Sequence, residues 1–146
     1  MIAVEDDLGR GAAAAAAALT ADGRVVVGGW TFGALRDAVD WCEDTAEGVP
    51  DVLLLAGASI LEDPELEELE LAVEPVGSRE TRAALPGLRS LVRAGRLAHD
   101  GAEGVTASVL GARVPANVTG DAMLVRADAL LRCVAWAVHR AHRERW

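Results

Sequence analysis

Seven consecutive alanines, Ala12–Ala18, constrain this chain more than any other feature, because the two regular structures open to them imply different folds. Alanine heads the intrinsic helix scales, which favours a helix over residues 11–20. The flanking sequence favours a strand. Together with Leu19 and Thr20 the tract is apolar without helical patterning, and it runs into Ala21-Asp22-Gly23, a tight-turn signal, and then into Arg24-Val25-Val26-Val27, a β-branched strand. Upstream, Ile2-Ala3-Val4 stops at Glu5-Asp6-Asp7 and the turn-forming Gly9 and Gly11. With the tract as a strand, residues 2–29 form a three-stranded antiparallel meander; the helix over 11–20 is the alternative.

The remaining elements follow from periodicity and punctuation. Leu35, Ala38, Val39, Cys42 and Ala46 recur at three-to-four-residue spacing opposite Arg36, Asp37, Asp40 and Glu43, an amphipathic helix with Thr31 as its candidate N-cap. Gly48-Val49-Pro50 ends it. Asp51-Val52-Leu53-Leu54-Leu55-Ala56 is a continuous apolar run of the kind that is buried on both faces of a central strand. An acidic helix is expected over 63–70 with Pro64 in its first turn, a short strand over 72–76, and a helix from Ser78 or Thr81 to Val92, interrupted or kinked near Pro86-Gly87. The segment around His99 reads as turn-rich. Further on, Val105–Val114 has modest helical periodicity, Pro115–Gly120 reads as a loop and Ala122–Val125 as a strand. Asp128 is a natural N-cap for a last helix carrying Leu130, Leu131, Val134, Ala137, Val138 and Ala141 on one face. This order argues an α/β layer fold built on a mixed sheet with helices on both faces.

A chain of 146 residues with 51% apolar and 25% charged residues is one domain's worth of protein, expected to span 1–146. No apolar run reaches the ~20 residues that span a bilayer. The acidic start carries no targeting pattern, and Cys42 and Cys133 have neither CxxC spacing nor a nearby His cluster, so reduced, buried thiols in a cytoplasmic protein are expected. All positive side chains are Arg, since Lys is absent, a mark of GC-rich coding more than of chemistry. The net charge of −9 is unevenly distributed: residues 1–78 hold three Arg against 17 acids, and residues 79–146 hold 11 Arg against six, giving −14 and +5.

Phosphate-binding, dinucleotide, zincin and hydrolase-elbow motifs are all missing, so no nucleotide cofactor is expected. His139 and His142 are read as a solvated helix face, and the four Trp as packing residues. What remains is acidic. Glu5-Asp6-Asp7 at a strand end and Asp128 at a helix start are hard oxygen ligands that an α/β sheet can bring near each other, a pattern suited to Mg²⁺ or Mn²⁺.

Several segments, in order, carry a resemblance. They are Ile2-Ala3-Val4-Glu5-Asp6 with the alanine tract and Ala21–Val27; Pro50–Ala58; Ala72–Gly77 ahead of an Arg-bearing helix; Leu91–Gly101, with its Gly-Arg-Leu-x-His-x-Gly pattern; and Gly120–Asp128 leading into the Ala-rich last helix. Over nearly its whole length the chain resembles the C-terminal nuclease domain of the bacteriophage terminase large subunit, an RNase H-like domain. The resemblance implies an RNase H-like mixed sheet and a metal-dependent endonuclease that cuts concatemeric DNA during genome packaging. It further implies double-stranded DNA and other terminase or portal components as partners, and Mg²⁺ or Mn²⁺ held by Glu5, Asp6 and Asp128 as the catalytic acids. The family's motor half has no counterpart here. One family acid is also missing: where its central strand ends in Asp, this chain reads Leu54-Leu55-Ala56-Gly57-Ala58. Removing a bridging acid from a two-metal site puts cleavage in question. Two roles follow: an endonuclease of weak or lost activity, or a catalytically inactive module that binds DNA or takes part in packaging assembly.

Overall fold

The alanine tract is a strand. In the computed structural model, which describes residues 1–99 and 128–143, Ala12–Leu19 forms β2 between β1 (Ile2–Asp6) and β3 (Val25–Phe32), antiparallel to both. Tertiary pairing on both sides overrides alanine's helix preference. The meander continues past Gly29 to Phe32, so Thr31 lies inside β3; the residue at the N-cap of α1 (Leu35–Ala46) is Ala34, without a side-chain bond. β4 (Leu53–Ala56) lies parallel to β1, and β5 (Ala72–Pro75) parallel to β4. A strand not expected from the sequence, β6 (Leu97–His99), pairs in parallel with β3. Its three residues are too short to show a period. It is fixed by Arg96, whose carbonyl accepts from Val25 N–H at 2.8 Å and whose guanidinium donates to the Gly23 carbonyl at 2.6 and 3.1 Å. The sheet order is β5-β4-β1-β2-β3-β6.

Two helical expectations need adjustment. The acidic helix is a single turn, α2 (Pro64–Glu67), capped by Asp63 accepting from Glu65 N–H at 3.0 Å. The carboxylates of Glu67, Glu68 and Glu70 crowd what would be its C-terminal end, where the helix dipole disfavours negative charge. The next helix, α3 (Ser78–Arg93), has Gly77 at its N-cap and continues through Pro86 without interruption. Pro86 is exposed, so the backbone bond it removes lies on the solvent side. The last helix, α4 (Ala129–Arg143), starts where expected: Asp128 accepts from Leu131 N–H at 2.8 Å. The expected helix over 105–114, loop over 115–120 and strand over 122–125 lie outside the described residues.

Strand parity divides the core in two. Ala3, Ala13, Ala15, Ala17, Val25, Val27 and Leu55 face α3 and α4, while Ile2, Val4, Ala12, Ala14, Leu54 and Ala56 face α1 and α2. Leu54, Leu55 and Ala56 have no exposed surface, which fits the expected doubly buried strand. Small side chains on β2 let α4 sit close to the sheet. A Cβ on Gly29 would come 2.9 Å from a Leu130 methyl and 3.0 Å from the Ala14 carbonyl, and the buried Cys133 thiol donates to the Ala13 carbonyl at 3.3 Å. Trp136 is core, as expected of a packing Trp, whereas Trp30 is 52% exposed. Among the described residues no helix is long and apolar enough to cross a membrane.

Candidate functional site

The three acids singled out by sequence do not converge. Glu5 and Asp6 are consecutive on β1, so the pleat sends them to opposite faces. Glu5 shares the face of Ala3 and points toward α4; Asp6 shares the face of Val4. Asp6 closes the β1–β2 turn, its Oδ2 accepting from Gly9 N–H at 3.1 Å, and the turn is held by Arg10 N–H to the Asp7 carbonyl at 3.0 Å. That turn requires positive φ at Gly9 and Gly11, and a Cβ on Gly11 would fall 2.2 Å from the Phe32 carbonyl. Asp128 is exposed and caps α4.

Glu5 is 7% exposed, and its carboxylate meets three neighbours. Ser59 Oγ donates to Oε1 at 2.5 Å, Asp6 N–H donates to the same oxygen at 3.1 Å, and Arg132 Nε stands 3.9 Å from Oε2. The carboxylate rests on Gly57, which follows β4 and whose N–H donates to the Val4 carbonyl at 3.1 Å. A Cβ built on Gly57 would lie 2.2 Å from Glu5 Oε2 and 2.3 Å from its carboxyl carbon. Within Leu54–Ala58, the segment in which the resemblance calls for another acid, Gly57 is thus the residue beneath Glu5, and Glu5 itself fills the room a side chain there would take.

This chemistry does not fit a two-metal centre. Hard divalent ions need several converging oxygens, and among the described residues no group of three or more His, Cys, Asp or Glu is placed to hold a metal. The positive charge beside Glu5 is the Arg132 guanidinium, a group that carries only N–H donors and offers no coordination position. Cys133, next to Arg132, is inert for the same reason as most buried thiols: burial pushes it well above its ordinary value, with the Glu5 charge adding to the effect.

Sequence reasoning missed Gly57, Ser59 and Arg132. Arg132 carried a local signal, being the sole charge in the apolar run Ala129–Val138. Gly57 and Ser59 carried none, because their role depends on the pairing of β4 with β1. A second polar cluster joins α3 to α4: Arg140 donates to both Glu80 oxygens at 2.8 Å and to Glu74 Oε2 at 2.9 Å. His139, expected on a solvated face, packs against Gly87 instead, and its Nε2 is buried without a hydrogen-bond partner among the described residues. No family model, curated protein or solved structure matches the chain.

Proposed function

We propose that this chain is an RNase H-like module of the terminase nuclease type in which cleavage has been lost. In this reading it binds double-stranded DNA in the host cytoplasm as part of packaging assembly. The connectivity supports the reading: an antiparallel β1-β2-β3 meander, β4 parallel beside β1, β5 parallel beside β4, and a last helix headed by Asp128 packed across the meander. The observation that carries the loss of cleavage is the state of Glu5. A carboxylate directed at the head of α4 is bonded by Ser59 and faces Arg132 over a glycine, in the segment where the resemblance calls for one further acid to hold Mg²⁺ or Mn²⁺ together with the first-strand acid and Asp128.

The test is incubation of the purified chain with supercoiled plasmid and Mn²⁺, with calorimetric titration of Mn²⁺ alongside. Neither nicking nor metal binding is expected. Asp128→Asn serves as the control, because Asn keeps the helix cap while removing the charge. Metal-dependent nicking that is abolished in Asp128→Asn would overturn the proposal and return the chain to the active endonucleases.

A further inference from the structure

The uneven charge along the chain becomes a charge difference across the sheet. The helices on one face, α1 and α2, carry one Arg against six acids; those on the other, α3 and α4, carry seven Arg against one acid, Glu80. Glu80 is already engaged by Arg140. A polyanion approaching this molecule is repelled by one face and drawn to the other.

On the basic face one element stands out. Arg79, Arg82, Arg89 and Arg93 of α3 are all exposed. At 100° per residue they fall within an arc of about 80°, opposite Ala84, Leu88 and Leu91, and at 1.5 Å per residue they extend over about 21 Å. Among the described residues no salt bridge engages Arg79, Arg89 or Arg93. The residues beside them on the exposed surface are Ala83, Pro86 and Ser90, and the one large exposed apolar side chain of α3, Val92, lies about 60° outside the arc. A protein partner is ordinarily anchored by an aromatic or large aliphatic centre, and within the arginine arc there is none. A row of guanidinium groups without an apolar centre suits a regular line of phosphates, and duplex DNA offers one negative charge per ~1.7 Å of its axis.

We infer that the solvent face of α3 is a docking ridge for the phosphodiester backbone of duplex DNA, with Arg79, Arg89 and Arg93 as its phosphate contacts. The inference takes its partner class from the DNA reading above and adds the surface and the mode, which is backbone contact without base readout.

Fluorescence anisotropy with a labelled 30-base-pair duplex, run over a series of salt concentrations, tests it. The triple variant Arg79→Ala/Arg89→Ala/Arg93→Ala should keep the native circular dichroism, since exposed Ala favours helix. It should lose at least about tenfold in affinity at low salt, and the slope of log K against log salt should fall by about 2.7, roughly 0.9 per lost phosphate contact. Arg36→Ala, on the acidic face, should bind as the unaltered chain does. Equal duplex binding by the triple variant and the unaltered chain would overturn the ridge while leaving the DNA partnership standing. No duplex binding by the unaltered chain would overturn both, and retention of labelled polyglutamate in place of the duplex would reassign the face to an acidic protein.

Discussion

Glu5 and Gly57 form a pair that neither residue explains alone. The carboxylate is the far end of a flexible side chain, so a Cβ at position 57 would not split the sheet; it would push Glu5 off Ser59 and away from Arg132. The cost is that of a displaced, nearly buried charge-assisted hydrogen bond, about 1–3 kcal/mol. Gly57→Ala should therefore lower the urea midpoint in the native background and have little effect once Glu5→Ala has emptied the space, a coupling that a double-mutant cycle reads directly. An equal loss in both backgrounds would place the strain elsewhere. The same residues mark what sequence could reveal. Asp128 as a cap was legible because capping is local, and the divergence of Glu5 and Asp6 follows from period two once β1 is accepted. That Gly57 lies under Glu5 depends on a parallel pairing across some fifty residues of chain, for which no local pattern exists.

Elements were legible where their pattern was long and failed where they depended on a neighbour. α1 and α4 had continuous periodicity, and β4 had an unbroken apolar run; β6 had three residues and only β3 to define it. The contact between α3 and α4 was not legible, because Glu80 and Arg140 are sixty residues apart. That contact makes stability depend on pH in two windows. Hydrogen bonds from Arg140 hold Glu80 below its ordinary value of 4.5, and burial holds His139 below its ordinary value of 6.5. Both groups take up protons more readily in the unfolded chain, so both favour unfolding as pH falls. His139 should erode stability on acidification from about pH 6.5 downward, and Glu80 from about pH 4.5 downward. Urea titrations between pH 8 and 3 should show both phases; His139→Gln should flatten the upper one and Glu80→Gln chiefly the lower, because Glu80 also acts on His139. A single phase unaffected by His139→Gln would remove the histidine from the account.

At the scale of the molecule, the sequence carried the charge difference between its two halves but not its geometry. Only the sheet, by sending α1 and α2 to one face and α3 and α4 to the other, turns a difference along the chain into a difference across it. The same partition creates two apolar cores that share β1, β2 and β4, and it sets one thiol in each: Cys42 on the α1 face and Cys133 on the α4 face, both without exposed surface. Burial pushes Cys42 up to about 12 and Cys133 well above its ordinary 9.0, so neither is nucleophilic in the folded chain at neutral pH. Each strand they rest on contributes alternate residues to both cores, so one core cannot open while the other stays packed unless β1 and β2 keep their pairing with one face stripped bare. That arrangement would expose to water the strand residues of the opened core, among them alternate alanines of β2. The two thiols should therefore become reactive to a disulfide reagent together, at a rate that follows global unfolding across a urea series. Mass spectrometry of the partly labelled chain, comparing Cys42 with Cys133, makes the measurement. Labelling of Cys42 well ahead of Cys133 at low urea would mean that the acidic layer detaches as a unit, leaving α3, α4 and the sheet as a separately stable half.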